Sequence, residues 1–185
     1  MKNIKYLLYS VLTFVSFSIN AQEETTEDEP TFSVAGSIDT YFRGADYAPL
    51  TSFANKPGFA LGMANVILSY EGEKSGFVAD FVYGPRGVEA VFNSSGSSNI
   101  VNQLYAYLNV SDNFTLTLGN WNTFLGYEVI SPTGNFNYST SYMFSYGPFS
   151  HTGIKADFTL SEKTSLMLAV MNQTDFTEGN FDSEG

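Results

Sequence analysis

One stretch of the sequence places the residue types of a hydrolase close together. His151, the only histidine of the 185 residues, follows Ser150 and lies six residues before Asp157. A serine, a histidine and a carboxylate form a nucleophile and its base when one series of hydrogen bonds joins them. The stretch alternates like a β-strand, on which six residues span roughly 20 Å, so Asp157 is too distant to orient His151. We expect a histidine in a polar lining and no enzyme activity, with a partner from elsewhere in the fold as the alternative.

Other catalytic and metal chemistries lack their residues. With one histidine and no cysteine, the chain cannot build a Cys/His metal centre. The segment YGPRG at 83–87 has neither the glycine spacing nor the lysine of a phosphate-binding loop. The acidic residues at 175–184 lack the spacing of a calcium loop, and we assign them to a solvated loop. The sequence therefore predicts no catalytic residue, no cofactor and no metal ion.

The chain around these residues alternates with a period of two, which is the pattern of β-strands. In TFSVAGSIDTYFR, residues 31–43, every second side chain from Phe32 onward is apolar or small. Segment 59–71 is less regular, and its alternation places Ala60 on the apolar face and Phe59 and Leu61 on the opposite one. Seven segments of about 8 to 13 residues match the length of tilted transmembrane strands. They are 31–43, 59–71, 76–83, 100–110, 114–123, 151–160 and 164–172.

Short and long connections between the segments strictly alternate. Three are tight turns of polar residues (72–75, 111–113 and 161–163), and three are long (44–58, 84–99 and 124–150). In an up-and-down meander, all tight turns then lie at one end and all long loops at the other, as in outer-membrane barrels. A Greek-key sandwich has no reason to sort its loops in this way. The sequence therefore predicts an all-β fold, an antiparallel up-and-down transmembrane β-barrel.

Aromatic side chains on the apolar face fall near both ends of the strands. Phe42 and Tyr83 lie near the long loops. Rings at both membrane interfaces are typical of such barrels, although soluble cores also contain aromatic residues. The rings near the tight turns are Phe32, Tyr70, Phe77, Phe114 and Phe158.

The first 21 residues, MKNIKYLLYSVLTFVSFSINA, have the features of a secretory signal peptide. Two lysines precede an apolar run, and Ala21 stands at the cleavage position. The run is shorter than the roughly 20 residues of a membrane-spanning helix. Residues 22–30 form an acidic leader, and the formal net charge of the chain is −11. Such a charge disfavours nucleic acid as a partner.

Longer stretches of the sequence resemble one known family. LTLGNWNTFLGYE (116–128), the Ser/Tyr/Asn-rich loop after it and HTGIKADF (151–158) are similar to the OmpL-like outer-membrane β-barrel porins of Gram-negative bacteria. SIDTYFR (37–43) and VILSYEGEKSGFVADFVYG (66–84) fit the first strand and the first hairpin of such a barrel. The resemblance implies an outer-membrane channel through which small hydrophilic solutes or ions diffuse. Membrane lipid and small polar solutes are then the expected partners. The resemblance leaves undecided whether the chain also forms a homo-oligomer.

The less apolar face of a barrel of this kind lines the lumen. Glu128 opens the longest loop, and long loops in such barrels often fold inward and narrow the pore. Glu128 is therefore a candidate constriction charge, and a solvated or locally paired loop carboxylate is the favoured alternative. Four acids and two bases on the strands give a weak preference for cations. The candidate lumen residues are Asp39, Arg43, Glu71, Asp80, His151, Lys155 and Asp157.

Two further expectations concern how much of the barrel this sequence contains and which other fold could explain it. Single-chain bacterial barrels are closed and have an even number of strands, whereas seven segments are visible and the sequence ends in the loop-like NFDSEG. We expect residues 31–185 to be the N-terminal part of a longer barrel. The alternative is an exported soluble β-sandwich that binds carbohydrate or a cell-surface ligand through the Tyr-rich loop 138–146.

Overall fold

Seven strands of the computed structural model form one antiparallel sheet in sequence order. The structure describes residues 30–179 except 46, 49, 50, 52 and 54. The predicted signal peptide (1–21), residues 22–29 of the acidic leader and residues 180–185 lie outside the described residues. The strands are β1 (Thr31–Arg43), β2 (Gly58–Glu71), β3 (Ser75–Tyr83), β4 (Val101–Ser111), β5 (Phe114–Asn122), β6 (Ser150–Ser161) and β7 (Thr164–Met171).

The predicted strands and their order are confirmed. Each strand begins and ends within one residue of its predicted bounds. Each also pairs antiparallel with the next strand along the chain. Among the described residues, β1 and β7 are the two edges of the sheet, which does not close on itself.

Short turns join the strands at one end of the sheet and long connections join them at the other. The long connections at 84–100 and 123–149 contain two short helices, α1 (Pro85–Ala90) and α2 (Tyr142–Tyr146). They also contain 3₁₀ turns at Gly96–Ile100 and Pro132–Gly134. No helix in the described part of the chain is long and apolar enough to cross a membrane.

The two faces of the sheet differ in what covers them. We call the face that carries Ile38 the outer face, and the opposite face, which carries Asp80, the inner face. The outer face presents large apolar side chains that are uncovered, and Ile38 is 84% exposed. A β-sandwich would cover such a face with a second sheet, whereas the described strands form one sheet. The exposed outer residues include Phe32, Val34, Phe42, Leu104, Leu108, Leu118, Ile154, Leu160, Leu168 and Val170.

A β-bulge interrupts the pairing of β1 with β2. Asp39 of β1 stands opposite two residues of β2, Gly62 and Met63. An extra residue of this kind shifts the alternation of the bulged strand by one position. A Cβ atom on Gly62 would overlap the Oδ2 atom of Asp39. Glycine at this position therefore leaves room for the carboxylate.

Because of this bulge, the predicted faces of the first part of β2 are wrong. The sequence pattern places Phe59 and Leu61 on the more polar face and Ala60 on the apolar one. In the structure Phe59 and Leu61 lie on the outer face, and the Phe59 ring packs 4.8 Å from the ring of Phe42. Ala60 belongs to the inner face. A strict period of two cannot reveal an inserted residue.

A second bulge occurs on β4, which at Asn102 carries one residue more than β3 opposite it. The side-chain Nδ2 of Asn102 donates to Oδ2 of Asp80 over 2.6 Å. The backbone carbonyl of Asn102 accepts a 2.8 Å hydrogen bond from Nδ2 of Asn120. The backbone carbonyl that the bulge removes from regular pairing is thus satisfied by a side chain.

An apolar cluster lies on the inner face, at the end of the sheet with the long connections. Met63 of β2 and Val82 of β3 contribute from the sheet, and all three long connections contribute the rest. The connections therefore fold back over the inner face. The cluster consists of Phe53, Met63, Val82, Ala90, Val91, Ile130, Phe144 and Phe149.

We expect Gly62→Ala to lower the free energy of unfolding by about 2 kcal/mol. The added Cβ displaces the Asp39 carboxylate, which then loses the hydrogen bond that it accepts from Tyr138. Urea titration of the refolded protein measures the change. Gly44→Ala is the control, because its Cβ would lie 3.5 Å from the Phe42 ring, an ordinary contact. Equal losses in the two variants would contradict the role of the bulge.

Candidate functional site on the inner face

Four polar residues form a hydrogen-bonded row across the inner face of β1 to β4. The backbone N–H and the hydroxyl of Ser37 both donate to Oδ1 of Asn65, each over 2.8 Å. Nδ2 of Asn65 donates to Oδ1 of Asp80 over 3.3 Å, and Asn102 donates to the other carboxylate oxygen. Asp80 is 4% exposed, and two amide donors compensate its burial. We call Ser37, Asn65, Asp80 and Asn102 the polar row.

Asp39 holds the longest connection against the sheet. The hydroxyl of Tyr138 donates to the Asp39 carboxylate and lies 2.8 and 2.9 Å from its two oxygens. Burial raises the pKa of Tyr138, and the hydrogen bond to Asp39 and the negative charge of Asp39 raise it further. The phenol therefore stays protonated and remains a donor at neutral pH.

Arg86 of α1 fixes the same connection from a second side. Its Nε donates to the carbonyl of Ile130, and its Nη1 donates to the carbonyl of Tyr138 over 3.3 Å. The guanidinium carbon also lies 4.4 Å from the centre of the Phe53 ring, a cation–π contact. Arg86 is 3% exposed, and this burial lowers its pKa while the charge of Asp39 opposes the shift. The group remains a cation, because an arginine pKa starts far above neutrality.

The carboxylate of Glu128, the candidate constriction charge, binds within its own connection. Oε1 accepts a 2.8 Å hydrogen bond from the backbone N–H of Ser141, and Oε2 accepts one from the Ser141 hydroxyl. The same hydroxyl accepts from the N–H of Phe144 and thereby caps α2. Glu128 is buried, with 7% exposure. This is the local pairing that the sequence left as the alternative.

The hydrolase arrangement around His151 does not assemble. Nε2 of His151 lies 3.1 Å from the hydroxyl of Thr123, and Nδ1 is buried without a partner among the described residues. The ring stacks on Phe124 at 4.7 Å. Asp157 pairs with Lys155, whose Nζ lies 2.6 Å from Oδ2. A triad requires a carboxylate bonded to the imidazole, and neither Asp157 nor another described carboxylate occupies that position.

The remaining candidate lumen residues lie away from the polar row. Lys155 and Asp157 are partly exposed on β6, and Lys155 Nζ lies 5.7 Å from the centre of the Trp121 ring. Glu71 is exposed at the short-turn end of β2, and Arg43 lies at the opposite end of β1. Of the candidate lumen residues, Asp39 and Asp80 thus lie under the long connection. Lys155 pairs with Asp157. Arg43 and Glu71 lie at opposite ends of the sheet.

Sequence reasoning missed the residues that support the two buried aspartates. Asn65 and Asn102 are uncharged strand residues, so the pattern of charges along the strands does not single them out. Tyr138 is one of twelve tyrosines and has no distinguishing neighbour in the sequence. Arg86 did carry a signal, because it is the one basic residue in the connection 84–100.

A cavity separates the polar row from the connection 123–149. Its volume is about 310 Å³, and residues 129–131 and 133 line the side opposite the strands. The connection therefore occupies the space next to the inner face and narrows it.

We expect Tyr138→Phe to loosen the connection 123–149 without unfolding the sheet. The variant removes the donor to Asp39, a hydrogen bond to a charged group, so amide hydrogen exchange in residues 129–149 should become about tenfold faster. Tyr142→Phe is the matched control, because Tyr142 is exposed and stacks on Tyr146. Unchanged exchange in Tyr138→Phe would show that the Asp39 contact does not hold the connection.

Comparison with known proteins identifies a family. The model of the family described as "Putative beta-barrel porin-2, OmpL-like" matches residues 31–185. No curated protein and no solved structure matches the chain. The matched residues include all seven strands, and the up-and-down antiparallel order agrees with a barrel fold. The resemblance seen in the sequence is confirmed, and the chain belongs to the OmpL-like family of β-barrel porins.

Proposed function

We propose that the protein is an outer-membrane porin through which small hydrophilic solutes and ions diffuse. The observation that carries the proposal is the inverted distribution of side chains over the sheet. Large apolar residues are exposed on the outer face, while polar residues and the long connections occupy the inner face. Lipid tails suit such an outer face, and a sheet pairs the backbone groups that lipid cannot hydrogen-bond. Membership in a porin family and the predicted signal peptide support the same location.

The height of the apolar band supports a membrane-spanning position. Phe32 and Phe42 are ten residues apart on β1, which is about 33 Å along a strand. A tilt of about 40° reduces this to about 25 Å, the usual height of the apolar band. At the short-turn end, Phe114 stacks on Phe158 with ring centres 4.6 Å apart. Stacked rings at this level fit the aromatic girdle of a membrane interface.

The connection 123–149 fits the role of a constriction. Asp39, Arg86 and the apolar cluster hold it over the inner face, so it does not move freely in the external solvent. Within this proposal Glu128 fixes the shape of the connection through Ser141. The narrow region then presents mainly the polar row to a passing solute.

The charges of the inner face favour cations. Lys155 is neutralised by Asp157, and Arg86 lies near Asp39. Asp80 is held by amides rather than by a base, so its negative charge is not cancelled locally. A weak preference for cations is the expected result.

We expect Ile38→Arg and Ser37→Arg to differ, although the two positions are adjacent. Ile38 lies halfway between the two aromatic levels on the outer face, where an arginine in lipid costs about 2–4 kcal/mol. Ser37 faces inward, so the same substitution should mainly change conductance. Urea titration in lipid vesicles measures the first effect and planar-bilayer recording the second. Equal losses of stability would mean that the outer face does not meet lipid.

Planar-bilayer recording of the full-length protein tests the proposed function directly. We expect stepwise conductance, with a reversal potential in a salt gradient that indicates a preference for cations. A variant with a short Gly/Ser linker in place of residues 129–146 should conduct more, because the narrowing segment is removed. Heat-dependent migration in detergent gels serves as the control for folding. Release of the protein in soluble form without detergent, or conductance no greater than background, would contradict the proposed porin function.

A further inference from the structure

We propose that the cavity between the polar row and residues 129–133 is a binding subsite for neutral polyhydroxylated solutes with the size of a single sugar ring. The inference rests on the proposed function, because the cavity meets passing solutes only if the inner face lines a lumen. It goes beyond that function by assigning a solute class and the residues that recognise it.

The size of the cavity fits such a solute. Its volume is about 310 Å³, which corresponds to about ten water molecules at roughly 30 Å³ each. A sugar ring with its hydroxyl groups has a similar number of non-hydrogen atoms. The cavity also reaches the lower end of the size range of ligand sites in proteins.

The lining presents amides and hydroxyls from two sides. On the strands, Asn65, Asn102, Gln103 and Asn122 supply amide groups, and on the connection Ser131 and Thr133 supply hydroxyls. Amides and hydroxyls both donate and accept hydrogen bonds. This lining matches a polyhydroxylated solute, because the hydroxyl groups of such a solute also both donate and accept hydrogen bonds. Ala35, Ile67, Val129 and Ile130 add small apolar patches for the C–H faces of a ring.

Asn122 is the clearest unused group of the cavity. Its Oδ1 atom is buried and accepts no hydrogen bond from the described residues. Its backbone N–H donates to Oε1 of Gln103 over 3.2 Å, which leaves the amide NH₂ group of Gln103 for a ligand. A buried acceptor without a partner is unfavourable until a donor reaches it. A hydroxyl of the solute supplies that donor once the Asn122 amide rotates toward the cavity, because its oxygen is closed off from solvent in the present arrangement.

The charges of the lining argue against ionic solutes. Asp80 is the one ionisable residue among the described residues that line the cavity. Its negative charge repels anions, and no lysine, arginine or histidine of the lining compensates it. For a cation, the charge of Asp80 gives a long-range attraction that favours permeation, but both Asp80 oxygens already accept from Asn65 and Asn102, and no second carboxylate of the lining is present to bind a cation directly. A neutral solute therefore suits this donor set better than either kind of ion.

Three sugars of similar size test the class of solute: glucose, cationic glucosamine and anionic glucuronate. Each is titrated against the full-length protein in detergent, with the fluorescence of Trp121, the neighbour of Asn122, as the binding signal. The same sugars are then added to reconstituted channels to measure the block of ion current. We expect saturable binding and block by glucose, with weaker effects of the two ions. Linear responses to glucose, or stronger binding of either ion, would overturn the proposal.

Variants on both sides of the cavity test its residues. Asn122→Ala and Thr133→Ala each remove one hydrogen-bonding group and should raise the half-saturating glucose concentration about fivefold. Asn109→Ala is the control, because Asn109 faces inward on the same strand as Gln103 but bonds to Thr115 away from the cavity. Equal changes in all three variants, or none in the first two, would overturn the subsite. If glucose binds but no conductance is measured, the result would contradict the proposed porin function and not the binding subsite.

Discussion

A sheet whose outer face meets lipid gains little stability from covering that face, so most of its specific contacts must form on the other face. Lipid tails are as apolar as leucine, so exposed residues such as Ile38 and Leu118 lose no contact with water when the sheet folds within a membrane. The inner face must therefore supply the specific contacts. It does so with the polar row and with the long connections, which bring an apolar cluster onto β2 and β3. The connections take the place of the second layer that a soluble sheet would have.

The two buried aspartates depend on two irregularities of the sheet. Asp39 stands opposite the bulge of β2, where Gly62 leaves room for its carboxylate. Asp80 lies beside the bulge of β4, whose extra residue, Asn102, donates to it. Bulges redirect side chains without ending a strand. Here the bulges direct the Asp39 carboxylate toward the long connection and the Asp80 carboxylate into the polar row.

The sequence predicted the strands because alternation and turn residues are local signals. Each strand of the structure ends within a residue of its predicted bound, and the sorting of turns and loops follows directly. The bulge at Gly62 and Met63 escaped prediction, since an inserted residue looks like irregular alternation. The partners of Asp39 and Asp80 also escaped, because Tyr138 lies 99 residues from Asp39 and amides give no charge signal. Glu128 illustrates the same limit, as its pairing with Ser141 depends on the path of the loop.

The path of the long connection is fixed by contacts of two different kinds. Arg86 binds the carbonyls of Ile130 and Tyr138, groups that are present whatever the side chains are. The contacts of the second kind require particular side chains. They are the hydrogen bond of the Tyr138 hydroxyl, the Glu128–Ser141 pair, and the Asn135 amide that bonds to the backbone of Val129. Residues 131 and 133, which face the polar row across the cavity, take no part in these anchors. If the proposed subsite is correct, their side chains can therefore change to suit another solute while the anchored backbone of the connection stays in place.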